Sequence, residues 1–203
     1  AYINEAGVGE AIRESGLKRE EGFITSKLPA QIKGYDQAME SFDLSVKNLG
    51  IEVLDLYLIH APWPWTDKGG DYTAQNIQSW KAFEKLYKDG RVRAIGVSNF
   101  NPKDVQALLD NCEIVPMANQ IAFHVGRTQK EYVDFCNKHN ILVEGYSPLA
   151  TGRALSDKFL NKMANSYGVS VAQLLIRFAL QRGILPLPKT TTYLRMVENT
   201  QVD

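Results

Sequence analysis

The sequence predicts an α/β fold built on a parallel sheet. Three observations carry that prediction. Short apolar runs alternate with amphipathic stretches along nearly the whole chain. The apolar runs are close to continuous, as in Val53-Leu54-Asp55-Leu56-Tyr57-Leu58-Ile59, which is the pattern of a strand covered on both faces. Helical stretches close on glycine, at Gly50 and Gly90, the residue that best adopts the left-handed conformation past a helix end.

The elements follow in order. Ala1 to Glu5 reads as the inside of a loop leading into a helix. Phe23 to Leu28 reads as a strand, Tyr35 to Leu49 as an amphipathic helix and Val53 to Ile59 as the second strand. Asn76 to Lys88 is a helix, and Ala94 to Val97 a strand. Asn101-Pro102 caps the next helix, with proline at its first position. Met117 to Ile121 is a strand, Thr128 to His139 a helix, and Ile141 to Tyr146 a strand. Two helical segments, Asp157 to Tyr167 and Val171 to Arg182, precede a short run, Ile184 to Leu187, that reads as a buried strand.

Six strands, each followed by helical sequence, fit a doubly wound sheet or a (β/α)8 barrel, both with right-handed crossovers. A barrel needs eight. Two strands ahead of Ala1 would supply the rest, so residues 1–203 are expected to be one TIM-barrel domain, incomplete at both ends, holding about six of its strands.

Composition narrows the function. The chain has 203 residues, 44% apolar and 23% charged, ordinary values for a globular domain. Lysine plus arginine balances aspartate plus glutamate, 23 against 23, which gives no electrostatic case for a nucleic-acid or membrane-surface partner. No apolar run approaches membrane-spanning length. Cys112 and Cys136 show neither zinc spacing nor a disulfide framework, so no metal and a reducing, cytoplasmic setting are expected. No heptad or apolar stripe calls for a partner, and a monomer or weak homodimer is expected.

Polar residues gather at the ends of the strands: Lys27, His60, Ser98 and Asn99, Asn119 and Gln120, Tyr146 and Ser147, then Lys189. In a parallel barrel these would meet on one face, where active sites form. Each alone has a plain structural alternative: a packed histidine, a surface lysine, a helix cap, a core tyrosine. The convergence of all of them is the stronger signal. The irregular stretch from Ala61 to Thr73, with Trp63 and Trp65, would frame such a face. The run Pro188 to Asn199 offers Lys189, three hydroxyls and Arg195 at the start of a helix, a combination suited to phosphate. Gly7-Val8-Gly9 begins like a dinucleotide fingerprint, but Ile12 replaces the last glycine and no strand precedes it. These glycines are expected to ease close packing instead.

Taken together, these segments resemble the aldo-keto reductases over essentially the whole chain. The matching pieces are Tyr2-Ile3-Asn4-Glu5, Ile24-Thr25-Ser26-Lys27-Leu28, Asp55 to Pro62, Gly90 to Phe100, Asn119-Gln120, Tyr146-Ser147-Pro148-Leu149 and the Pro188-Lys189 run. The resemblance implies a (β/α)8 barrel that binds NADPH and reduces small-molecule aldehydes or ketones to alcohols. It implies Tyr2 as general acid, Lys27 as the cation that lowers its pKa, and His60 as the group that aims the carbonyl. It further implies that Ser98, Asn99 and Gln120 hold the nicotinamide carboxamide and that Tyr146 stacks on the ring. Ser147 and Leu149 would line the pyrophosphate path, Lys189, Thr190 and Arg195 the 2′-phosphate, and Glu198 and Asn199 the adenine. Trp63 and Trp65 would line the substrate pocket.

The chain departs from the family at Ala61, Ala122, Val125 and Arg153, which implies a somewhat different pocket and cofactor clamp. The family's aspartate would fall before Ala1. Two competitors stand beside the reductase: a Schiff-base aldolase using Lys27, and a non-catalytic NADPH-binding relative or inactive fragment.

Overall fold

The computed structural model of the chain describes residues 3–202. They form two compact units, the first running through Ala118 and the second beginning at Asn119.

The first unit alternates helix and strand: α1 (Glu5–Glu14), β1 (Thr25–Leu28), α2 (Tyr35–Leu49), β2 (Leu54–Ile59), α3 (Thr73–Lys88), β3 (Val92–Ser98) and α4 (Pro102–Leu109). Strands β1, β2 and β3 are parallel neighbours in chain order. Every residue of β2 is buried, as its apolar run demands. Helix α2 turns Ala38, Phe42, Ser45 and Leu49 inward, a spacing that places them along one face. It stops at Gly50, whose φ of 66° lies in the left-handed region. Between the sheet and the helices Tyr57 meets Phe42 edge-on at 5.1 Å and stacks on Phe83 at 4.7 Å.

The expectation that glycine eases close packing near the chain start is met at Gly9. A Cβ there would lie 2.1 Å from the Leu49 carbonyl oxygen, so α1 rests on the end of α2 only because the side chain is missing. Asp55 is the one charged residue within β2. It is buried, pairs with Arg19 at 2.6 Å and Arg93 at 2.8 Å, and accepts the Ile24 N–H at 2.8 Å. Asn101 and Asp104 cap α4 reciprocally, each side chain accepting the other's N–H.

The second unit holds β4 (Ala118–Ala122, which starts on the last residue of the first unit), α5 (Lys130–Lys138), β5 (Leu142–Tyr146), α6 (Lys158–Tyr167), α7 (Val171–Leu180), β6 (Leu185–Leu187) and α8 (Tyr193–Thr200). Strand β5 pairs with β6 in parallel, Glu144 opposite Leu185 and Tyr146 opposite Leu187. Asp157 caps α6 and Ser170 caps α7 through side-chain oxygens.

The boundaries differ from the sequence expectation by a few residues, as helix and strand ends commonly do. Helix α3 starts at Thr73 rather than Asn76, because the Asp71 carboxylate accepts the Thr73 N–H at 3.0 Å. The expectation of a buried last strand is corrected. Ile184 is buried, but Leu185 and Leu187 are 43% and 37% exposed. The strand is three residues long and last in the strand order, and Pro186 at its centre has no N–H to give a further neighbour.

Candidate active site

In the first unit the parallel register lines up three strand ends. Lys27 lies opposite Leu58, and Ile59 opposite Val97. His60 therefore leaves β2 beside Ser98 at the end of β3, and its N–H donates to the Leu28 carbonyl at 3.2 Å. Lys27 is half-buried and Ser98 buried. Burial, together with the charges of Lys27 and Lys33, pushes the His60 imidazole down to about 4. At neutral pH the ring is uncharged, with one nitrogen able to donate and the other to accept. Tyr2 falls outside the described residues.

The aromatic residues expected to wall a substrate pocket stand beside this histidine. Trp65 meets the His60 ring edge-on at 5.2 Å, and Trp63 meets Trp65 edge-on at 5.3 Å. Lys68 lies 5.6 Å over the Trp65 ring. The loop braces itself further along, where the Tyr72 hydroxyl donates to Asp67 at 2.9 Å.

The start of this loop is held by side chains. Asn99 Nδ2 donates to the His60 carbonyl at 3.0 Å, and Asn76 Nδ2 to the Pro62 carbonyl at 2.7 Å. Lys33 Nζ donates to the Ala61 carbonyl between them at 2.7 Å and to Asn76 Oδ1 at 2.9 Å. Asn99 was an expected site residue. Lys33 and Asn76 were not. Only contacts distant in sequence mark them out.

In the second unit Gln120 is buried, and its Nε2 donates to Glu144 at 2.7 Å. This gives the expected carboxamide-binding glutamine a carboxylate partner that the sequence did not signal. Tyr146 and Ser147 are both half-buried where β5 ends. Ser147 takes a φ of 54° directly after β5, as Asn99 takes 61° directly after β3. Two left-handed non-glycine residues at strand ends are locally costly, and such residues cluster at functional sites.

Ser147, Leu149, Lys189, Thr190, Arg195, Glu198 and Asn199, all expected around the pyrophosphate, the 2′-phosphate and the adenine, line one cavity of about 720 Å³ in this unit. Lys189 and Arg195 are exposed there, and Thr190, Glu198 and Asn199 half-buried. The Thr190 hydroxyl accepts the Thr192 N–H at 3.1 Å and braces the turn into α8. Gln173 secures the far end of that helix, donating to the Gln201 carbonyl at 2.9 Å. Among the described residues no cluster of three or more His, Cys, Asp or Glu could hold a metal ion, and no helix is long and apolar enough to cross a membrane.

Parallel βα repeats with polar strand ends, an aromatic loop beside a neutral histidine, and a cationic cavity after the last strand define an α/β barrel enzyme of the kind that handles phosphorylated cofactors. The chain belongs to the aldo/keto reductase family, whose sequence profile it matches over residues 1–202. It is 45% identical over 201 residues to the glyoxal reductase of Bacillus subtilis, covering 99% of this chain and 70% of that protein. It is 42% identical over 204 residues to the 9,11-endoperoxide prostaglandin H2 reductase of Trypanosoma cruzi, covering 99% and 69%. Among solved structures it matches an aldo/keto reductase from Brucella melitensis with a TM-score of 0.91 and 39% identity, over 99% of this chain and 75% of that one. A Bombyx mori aldo-keto reductase in complex with NADP matches with a TM-score of 0.88 and 33% identity, over 99% and 70%. The fold is that of the (β/α)8 barrel, of which the described residues carry six strands.

Proposed function

We propose that this protein reduces aldehydes or ketones to alcohols with NADPH, acting on small molecules in the cytoplasm as a monomer or weak homodimer, its residues forming part of a single barrel domain. The observation that carries the reading is the cavity bounded by Lys189, Thr190 and Arg195. Two cations and a hydroxyl lining one cavity suit a phosphate monoester, Arg195 offering a fork of donors and Lys189 a point charge. Glu198 and Asn199 face the same space and suit the edge of a base. The residues therefore fit NADPH, and that fit agrees with the nucleotide bound by the Bombyx mori relative.

Bound NADPH supplies the reducing equivalent. The rest of the chemistry belongs to the chain. Tyr2 gives its phenolic proton to the carbonyl oxygen as that oxygen becomes an alcohol. A phenol titrates near 10 unaided, about three units above neutral pH, and Lys27 is assigned as the cation that would stabilise the phenolate. Neutral His60 donates a hydrogen bond to the same oxygen and stabilises the charge that develops there. Ser98, Asn99 and Gln120 would hold the carboxamide of the cofactor and Tyr146 its ring. Trp63 and Trp65 exclude water from the carbonyl.

The test is consumption of NADPH with glyoxal and with a larger aromatic aldehyde, together with recovery of the alcohol. Turnover of either supports the proposal. Tight NADPH binding with no turnover would leave a non-catalytic binder. Absence of NADPH binding would remove the reading altogether.

A further inference from the structure

We propose that Lys33 is a positioning residue for the carbonyl end of the site: its ammonium, with Asn76 and Asn99, fixes the three consecutive backbone carbonyls that launch the aromatic loop beside His60. The inference rests on the reductase reading, which places the substrate against Trp63 and Trp65.

The geometry is continuous. The His60 carbonyl accepts from Asn99, the Ala61 carbonyl from Lys33 and the Pro62 carbonyl from Asn76. Lys33 also donates to Asn76 Oδ1 and so orients the amide that holds Pro62. Ala61 is buried and allows close approach. The neighbouring residue Gly34 is tied to α3 as well, its N–H donating to the Ser79 hydroxyl at 2.9 Å. The stretch carrying Lys33 is therefore anchored to the same helix that supplies Asn76.

Lys33 suits the task because it is a charged donor. A charge-assisted bond to a carbonyl is about twice as strong as a neutral one. Burial pushes the amine down to about 8, with Asp104 pulling it back up, so it keeps its ammonium at neutral pH. The charge also reaches His60, adding to burial and to Lys27 in keeping that ring neutral. Lys33 thus acts on the carbonyl end twice, through the loop and through the histidine.

Lys33→Met keeps most of the side chain's length and removes its donors, whereas Lys33→Arg keeps the charge and offers a fork. The measurements are steady-state kinetics with glyoxal, the NADPH dissociation constant by fluorescence, and amide hydrogen exchange over residues 61–72. Lys33→Met should raise KM for the aldehyde about tenfold, leave NADPH affinity within about twofold, and speed exchange in that segment alone, with Lys33→Arg restoring most of the loss. Wild-type KM and exchange in Lys33→Met would overturn the assignment. So would faster exchange across the whole chain accompanied by loss of NADPH binding. If Lys33→Met does not fold, Lys33→Gln is read by the same criteria. Failure of both to fold would mark Lys33 as a residue of general stability and overturn the proposal. If the wild type reduces no carbonyl, the reductase reading fails on its own, and exchange over 61–72 still decides whether Lys33 holds the loop.

Discussion

The Asn99 side chain donates to the His60 carbonyl oxygen at 3.0 Å while its own backbone holds a φ of 61°. One residue thus joins the ends of β2 and β3 and pays a conformational cost to do so. Left-handed backbone costs a non-glycine residue about 1–2 kcal/mol, and asparagine tolerates it better than most. The two contributions can be separated. Asn99→Gly keeps the backbone and loses the side-chain bonds, to the His60 carbonyl and to Ser98 Oγ at 3.2 Å, and should cost about 1 kcal/mol in chemical denaturation. Asn99→Ala loses the same bonds and adds strain, and should cost about 1 kcal/mol more. Equal losses would mean that the backbone geometry is not retained in solution.

His60 should remain neutral in mildly acidic solution. Its value is lowered to about 4, chiefly by burial and then by Lys27 and Lys33. The sign follows from proton counting. Between about pH 4 and the ordinary histidine value near 6.5, the unfolded chain binds a proton that the folded chain refuses. The His60 contribution to stability is therefore complete above about 6.5 and falls as pH drops towards 4. Titration of the His60 ring by NMR checks this, and a midpoint near 6.5 would contradict it.

Tyr2→Phe should lower kcat by about 10² to 10⁴-fold, the range that a positioned general acid provides, with NADPH binding nearly intact. Paired kinetic and fluorescence measurements test both halves. Wild-type turnover in this variant would remove Tyr2 from the proton-transfer role.

Arg195→Ala should weaken NADPH by at least about tenfold and NADH far less, since Arg195 is assigned to the phosphate that only NADPH carries. Competitive binding with the two cofactors measures the difference. Equal loss would place the phosphate elsewhere along the cavity.

Asp55→Ala should destabilise the chain by about 3 kcal/mol, near the lower end for breaking a buried pair. The low end applies because Arg93 is 55% exposed and can return to water, while Arg19 and the Ile24 N–H lose a buried acceptor. Equilibrium unfolding in urea tests it.

The fold was readable from the chain because its signals are local. The run Val53 to Ile59 is fully buried from Leu54 on, and Tyr35 to Leu49 is helical between those same residues. Lys189, Thr190, Arg195, Glu198 and Asn199 could be picked out together because they occupy a single stretch, and they line one cavity with Ser147 and Leu149. Lys33 was not, since it sits in a loop with no periodicity and its acceptors lie 28 and 43 residues away. The Gln120–Glu144 pair was hidden for the same reason, 24 residues apart on different strands. Leu185 and Leu187 misled in the other direction. An apolar run reports what a strand could cover, and what lies against it is decided by neighbours in space.

The three side-chain hydrogen bonds that hold residues 60–62 all fall on main-chain oxygens. Carbonyl oxygens are common to every amino acid, so the mounting is indifferent to which rings it carries. On the proposed reading, a library varied at positions 63 and 65 alone should retune substrate preference while these three bonds keep their form.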